Sequence, residues 1–162
     1  MSAKLLTVDP LKCTGCMKCE TACSMEHRGM RDSPRTRIQV IAGDVRAGFY
    51  MPATCQHCEN PPCSAVCPKG AICRDNTLER VMIRRDLCVG CKMCVSACPT
   101  GAMGFDPDLG LAYKCDMCGG NPECVGVCDP RALDCVDPHQ LQYPRRLEMA
   151  TKLYGVVRGQ VG

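Results

Sequence analysis

The chain has 162 residues and a formal net charge of +3; 18 residues are Cys, while there is no Trp and only two Phe and four Tyr. With Cys set aside the apolar share falls to about 35%, thin for a conventional core at this length. No apolar run is long enough to span a membrane. The opening MSAKLLTVDPLKC has neither a signal-peptide-length apolar stretch nor a twin-arginine pair, so a cytoplasmic setting is expected. Thiols stay reduced there, and dense Cys patterns mean metal more often than disulfides.

In chain order, LLTVDPLKC begins as a strand and leads into CTGCMKCETAC, residues 13–23, whose end is compatible with a short helix. TRIQVIAGDVRAGFY (36–50) reads as a hairpin turning near Gly43-Asp44. CQHCENPPCSAVC (55–67) closes in another short helix, and AICRDNTLERVMI (71–83) reads as a second hairpin around an Asp-Asn turn. CVGCKMCVSAC (88–98) and CDMCGGNPECVGVC (115–128) follow. PRRLEMATKLYG (144–155) has Pro at a first helical position and Gly at the stop, which predicts a C-terminal amphipathic helix. Leu147, Ala150, Leu153 and Val157 fall near one face. That face is expected to pack on its own domain, with docking to a partner as the alternative.

The four Cys clusters alternate between two patterns. The first (Cys13, Cys16, Cys19, Cys23) and third (Cys88, Cys91, Cys94, Cys98) read C-x2-C-x2-C-x3-C and align without gaps, Gly15 over Gly90 and Ala22 over Ala97. The second (Cys55, Cys58, Cys63, Cys67) and fourth (Cys115, Cys118, Cys124, Cys128) are looser and share Asn-Pro before the third Cys, Asn60-Pro61 and Asn121-Pro122. This order is an internal duplication.

A cubane [4Fe–4S] cluster needs four thiolates at the corners of a tetrahedron. Three cysteines at three-residue spacing wrap one cube, and the fourth of such a run ligates the other cluster in two-cluster ferredoxins. Structural zinc uses two Cys pairs set further apart, and only His27, His57 and His139 are available to supplement them. Sixteen motif cysteines therefore predict four [4Fe–4S] clusters. Cys73 and Cys135 remain, both in strand-like stretches, and read as small buried hydrophobes. Four clusters at about −2 each would turn the net charge of +3 to about −5, so the basic balance does not argue for nucleic acid.

The 20 residues between Cys67 and Cys88, and the shared Cys67-Pro68 and Cys98-Pro99, favour pairing motif two with motif three. Cys55, Cys58 and Cys63 then take Cys98, and Cys88, Cys91 and Cys94 take Cys67. By elimination Cys13, Cys16 and Cys19 take Cys128, and Cys115, Cys118 and Cys124 take Cys23. Sequential pairing, one with two and three with four, is also compatible with the alternation.

These motifs over 13–128, with CQHCENPPC and the GAI and GAM after each Cys-Pro, resemble the four-cluster ferredoxin-type electron-transfer subunits of molybdenum or tungsten oxidoreductases, CO dehydrogenases, formate dehydrogenases and hydrogenases. The small size, PRTRIQV (34–40) and the single C-terminal helix are most similar to the iron–sulfur subunits of tungsten-containing aldehyde oxidoreductases. The resemblance implies an α+β fold of two pseudo-symmetric ferredoxin-like units, short hairpins and helices around clusters in a line, with nested pairing. An inner unit of about 53–105 and an outer unit of 1–52 plus 106–138 are expected, followed by the helix and tail, 139–162. It further implies a non-catalytic electron relay between a large catalytic subunit and a second redox partner. A cluster-stabilised assembly scaffold, including self-association, is the rival. No phosphate loop, dinucleotide fingerprint or nucleophile constellation suggests independent catalysis.

Two departures stand out: Cys23 is followed by Ser24 instead of Pro, and Arg131 replaces the usual Gly in CDPRAL. Backbone N–H groups at Gly15 and Gly90 are expected to donate to cluster sulfurs. Lys18 and Lys92 read as solvated, or as tuning charges. Met17, Met93 and Met117 read as soft packing and His57 as a structural hydrogen-bonding group. Arg28, Arg31, Arg35 and Arg37 read as a solvated face, or as steering an acidic partner.

Overall fold

The computed structural model describes residues 4–31, 34–43, 48–75, 77–137, 146–147, 149–151 and 153. Among the described residues there are eight short strands: β1 (Leu5–Val8), β2 (Ile38–Ala42), β3 (Tyr50–Thr54), β4 (Ile72–Asp75), β5 (Arg80–Ile83), β6 (Gly104–Asp106), β7 (Leu111–Tyr113) and β8 (Leu133–Val136). Between them lie α1 (Lys18–Arg28), α2 (Pro62–Ala65), α3 (Met93–Ala97) and α4 (Glu123–Gly126). Each of these helices carries the third Cys of one motif, and α1 carries the fourth as well. Both expected hairpins form; the turn expected near Gly43-Asp44 lies at the edge of the described residues. The β6–β7 hairpin was not anticipated, because three-residue strands leave no alternation to read.

The strands pair as four antiparallel two-stranded ribbons, and one rule generates all of them. The strand after a first-type motif pairs with the strand before the next second-type motif, giving β2 with β3 and β6 with β7. The strand before a first-type motif pairs with one following a second-type motif, giving β5 with β4 and β1 with β8. The last pair joins the two ends of the motif region, with Leu6 opposite Cys135. Cys73 lies in β4 opposite Met82, and its equivalent in β8 is Asp134, so the two spare cysteines do not occupy matching places. Both cysteines are half-buried rather than buried, since a two-stranded ribbon covers only one of its faces.

Two separate cores result. One joins Leu6, Ile38, Val40 and Leu133 with Cys19, Cys23, Met117 and Cys124; the other joins Ile72, Val81, Met103 and Ala112 with Cys94. Sulfur thus supplies the bulk that aromatics supply elsewhere.

In the first three motifs helix length goes with the residue after the last Cys, whereas α4 stays short with Asp129 there. Pro68 and Pro99 cannot continue a helix, because Pro lacks an N–H and restricts its predecessor, so α2 and α3 are about one turn long. Ser24 imposes no such stop. It is fully buried, its hydroxyl donates to the Met30 carbonyl, and α1 runs on to Arg28 before Gly29 ends it at φ +68°.

The arginine-rich segment is not a free solvated face. Arg28 and Arg35 both donate to the buried Asp106 of β6, at 2.5 and 2.7 Å, and Arg35 also reaches Asp108 at 2.5 Å. Arg37 bonds Asp116 at 2.5 Å, and Arg31 stays exposed. These pairs stitch α1 and the segment before β2 to the second half of the chain. The described residues among 146–153 are helical, but Leu147, Met149 and Leu153 are all more than half exposed. The expected packing of that helix on its own domain is not seen among the described residues, and Val157 lies outside them.

The loop after motif four keeps the shape of its equivalents despite its altered sequence. Gly70 and Gly101 have φ of +57° and +65°, and Arg131 adopts +53° at the same place. A non-Gly residue in this region costs about 1–2 kcal/mol, against the roughly 0.5–1 kcal/mol of extra chain entropy that Gly loses. Arg131→Gly should therefore stabilise the protein modestly, raising the thermal midpoint by about 1–3 °C. A lowered midpoint in a melting scan would mean that the Arg131 side chain makes contacts worth more than the strain.

Candidate functional site

Each motif opens with a left-handed residue two places after its first Cys: Gly15 at φ +71°, His57 at +48°, Gly90 at +69° and Met117 at +57°. This conformation turns successive backbone N–H groups toward one point, the geometry of an anion nest. His57 N and Met117 N donate to the sulfurs of Cys55 and Cys115, each at 3.4 Å. At Gly15 a Cβ would sit 2.7 Å from the Tyr50 ring, and at Gly90 it would sit 2.4 Å from the Gly110 carbonyl oxygen. The first-type motifs therefore need glycine for space as well as for φ.

Three small cavities in the protein share one composition. One is lined by Cys13, Cys16, Cys19 and Cys128; another by Cys55, Cys58, Cys63 and Cys98; the third by Cys67, Cys88, Cys91 and Cys94. In each, three cysteines come from one motif and the last from another. Cys115 and Cys23 both act electrostatically on Cys118 and on Cys124, so these four thiols lie near one another. Burial, then Asp116, Cys115 and Cys23, push the Cys118 thiol up to about 11. Burial, then Cys115, Cys23 and Cys118, push Cys124 higher still. Burial raises Cys19 to about 12.

Charge effects also run from one group to the next. Cys19 acts on Cys124, Cys115 acts on Cys55, and Cys63 acts on Cys94. The four groups thus follow one another, with the exposed Cys16 in the first and the exposed Cys91 in the last.

Four thiols converging in a low-dielectric interior cannot all ionise unless cations compensate them. The donor set is all sulfur, three ligands per loop plus one from afar. The fourth cysteines of motifs two and three are prepared for ionisation. Burial pushes Cys67 and Cys98 up, but hydrogen-bond donors outweigh it and hold both below the usual thiol value. These are the N–H groups at Ala71, Lys69, Ile72 and Gly70 around Cys67, and the Thr100 hydroxyl with the N–H groups at Thr100, Ala102 and Met103 around Cys98. Val81 N–H donates to His57 Nδ1 at 3.0 Å, placing the ring proton on Nε2, a buried atom with no protein partner. These features fit cubane iron–sulfur clusters.

Several side chains near the sulfurs carried no sequence signal. Arg74 donates to the carbonyls of His57 and Cys58, both at 3.0 Å, and Arg80 donates to the Asp116 carbonyl at 2.6 Å. Lys114 is buried beside Cys115. His27 Nε2 lies 3.7 Å from the Cys118 sulfur and 3.5 Å from Asp116. Lys18 pairs with Asp129, and Lys92 stands 4.4 Å from the Phe105 ring centroid, so neither is simply solvated. Met17 and Met93 are exposed, whereas Met117 packs in the core.

Fold and thiol arrangement together define a polyferredoxin. Residues 46–138 match a family model described as a 4Fe-4S dicluster domain, and residues 12–72 match a second model of the same description. Electron transport protein HydN of Escherichia coli K12 is 37% identical over 164 residues, covering 86% of this chain and 91% of that protein. The polyferredoxin-like subunit of aliphatic sulfonate oxidoreductase from Pyrococcus furiosus is 37% identical over 76% of this chain and 70% of its own length. The thiosulfate reductase electron transfer subunit PhsB of Salmonella typhi is 35% identical over 77% of this chain and 71% of its own. The chain belongs to this family of 4Fe-4S dicluster electron-transport proteins. It carries four [4Fe–4S] clusters and is an electron-transfer protein rather than a catalyst.

Asp116 anchors motif four. Its carboxylate accepts from Cys118 N at 3.1 Å and from Arg37 at 2.5 Å. Burial pushes this carboxyl up, but Arg37, His27 and the Cys118 N–H together hold it below the usual carboxylate range. Asp116→Asn keeps the bond from Cys118 but leaves Arg37, whose side chain is only 10% exposed, without its anion. The expected loss is about 2 kcal/mol, or about 4–8 °C in melting temperature. Because the folded-state value is depressed, the contribution is complete above about pH 4 and is lost only as pH falls through the lowered value. The deficit should therefore be constant in melts from pH 7 to 9; one that changed with pH there would implicate another group.

Proposed function

We propose that this protein is the electron-relay subunit of an oxidoreductase complex. In this reading it carries single electrons between a large catalytic subunit and a second redox partner. When bound, the clusters supply one-electron chemistry that needs no substrate pocket. The protein's task is to hold thiolates in the right grouping, exclude water and set the local field.

The ligand grouping we propose is nested. Cys13, Cys16, Cys19 and Cys128 hold one cluster, and Cys115, Cys118, Cys124 and Cys23 hold the next. Cys55, Cys58, Cys63 and Cys98 hold the third, and Cys88, Cys91, Cys94 and Cys67 the last. The observation that carries this is the trio of cavities, each lined by three cysteines of one motif and the final cysteine of its nested partner. Sequential pairing would instead require Cys13 and Cys67 to meet. With this grouping goes a division into two pseudo-symmetric ferredoxin-like units, an inner one near 53–105 and an outer one from 1–52 and 106–138. The two separate cores support it, although Ala112 packs with the inner one.

The ends of the relay are where partners exchange electrons. Cys16 and Cys91 are exposed there, flanked by exposed Leu11 and Met17 at one end and Val89 and Met93 at the other. Small apolar contacts around a buried redox group let a partner approach closely without displacing ordered polar groups. For the catalytic partner we favour a tungsten-containing aldehyde oxidoreductase, on the PRTRIQV segment and the small size of the chain. A cytoplasmic setting agrees with the reduced thiols; no described helix is long and apolar enough to cross a membrane.

Anaerobically purified protein should contain about 16 iron atoms per chain, from four cubanes. Cys73→Ala and Cys135→Ala should keep the full content. Cys98→Ala should disturb the cluster held by Cys55, Cys58 and Cys63. Damage confined to the cluster held by Cys88, Cys91 and Cys94 would overturn the nested grouping, and eight iron atoms or two zinc ions would overturn the count of four clusters.

A further inference from the structure

Lys114 is the most buried charged side chain beside the cysteine groups, only 4% exposed. Its ammonium donates to the carbonyl of Val81 and, at 2.6 Å, to that of Cys115. It also lies 3.5 Å from His57 Nδ1. Among the described residues no carboxylate pairs with it. His57 cannot serve as its counter-charge, because an imidazole is neutral or cationic and its Nδ1 already accepts from Val81 N–H.

An ammonium taken out of water without a counter-charge costs several kcal/mol, and carbonyl dipoles recover only part of that. A negative charge nearby in the complete protein would offset that cost. The side chain lines the cavity shared by Cys55, Cys58, Cys63 and Cys98, and its charge favours the thiolate forms of Cys55 and Cys63. On its other side it follows directly into Cys115, the first cysteine of the adjoining group. It thus stands where the two middle groups meet, and where Cys115 and Cys55 act on each other.

We infer that Lys114 is the fixed counter-ion of the two middle clusters, an internal charge that favours an electron at the junction of the two ferredoxin-like units. This rests on the cluster grouping proposed above. A thiolate-bound cubane goes from about −2 to about −3 on one-electron reduction. The donor loses that electron. A fixed positive charge at this place lowers the energy of the reduced form more than that of the oxidised form, and so raises the potential. The two carbonyl bonds hold the ammonium in position, so no side-chain rearrangement accompanies the transfer.

The test is a dithionite titration of the intact four-cluster protein followed by electron paramagnetic resonance, comparing wild type with Lys114→Met and Lys114→Arg. Methionine keeps the length and apolar stem without the charge; arginine keeps the charge. With iron content unchanged, Lys114→Met should make reduction of at least one cluster ten- to a hundred-fold less favourable. That is a fall of about 59–118 mV at 59 mV per decade for a one-electron couple. Lys114→Arg should stay within about threefold of wild type, set by the same relation. Loss of iron in the methionine variant alone, with arginine retaining wild-type couples, would also support the inference, since the charge would then be needed for assembly. Unchanged couples in a fully loaded Lys114→Met protein would overturn it. So would an arginine variant that behaves like methionine, whether in its couples or in failing to assemble, because shape and not charge would then be the cause. A wild-type protein holding fewer than four clusters would instead sink the proposed cluster grouping.

Discussion

Everything in this molecule depends on gathering anionic sulfur into an interior that has little else to fill it. A chain with no Trp and two Phe has few large apolar side chains to bury. The cores are accordingly built from thiols among Ile, Leu, Val and Met. Most of the buried thiols have values raised by burial, which means the protein alone does not favour their ionised form. Binding and folding are therefore one process. The iron that compensates the thiolates also ties together segments up to 115 residues apart, from Cys13 to Cys128 in the proposed grouping. The short ribbons could not do this unaided, because two-stranded sheets are marginal in water.

The polar framework answers the same constraint from outside the sulfur groups. Arg28, Arg35 and Arg37 each reach an aspartate in the second half of the chain. Arg74 and Arg80 fasten the carbonyls of the motif loops. Guanidinium suits this role, since its fan of donors can bridge carboxylates and carbonyls while its charge remains permanent. A lysine in the same places would make fewer directed bonds. Where a lysine is used, at position 114, the single compact charge sits between two cysteine groups.

The cysteine spacing, the alternation of motif types and the two longer hairpins were legible because they are local and periodic. The lengths of α2 and α3 were legible in the prolines that stop them. The extension of α1 to Arg28 was readable only in part, from the missing Pro after Cys23. Pairing between distant motifs was narrowed by spacing but not decided by it, since fourth cysteines look alike in sequence. The arginine network was misread as solvated because Asp106, Asp108 and Asp116 lie some 70–80 residues away and carry no pattern. Lys114 was invisible for a related reason. A lysine next to a motif cysteine is ordinarily exposed, and only the packing of β5 against the fourth motif buries this one.

The duplication is imperfect at one place with electrostatic consequences. In motifs two and three the Cys-Pro-x-Gly turn directs several backbone N–H groups at the last sulfur, and those thiols sit below their usual value. After Cys23 there is no Pro, α1 continues, and the turn never forms. Its sulfur instead accepts from Arg37 N at 3.3 Å, and burial outweighs its donors, leaving the thiol raised. Hydrogen bonds to ligand sulfur stabilise added negative charge and so raise a cluster's potential. A cluster bound through Cys23 would thus receive less of that stabilisation from its fourth ligand than one bound through Cys67 or Cys98. The same cluster is the one that abuts Lys114 through Cys115. In the proposed grouping, a fixed charge at Lys114 would stand beside the one group whose fourth sulfur lacks the donors that the Cys-Pro-x-Gly turn supplies elsewhere.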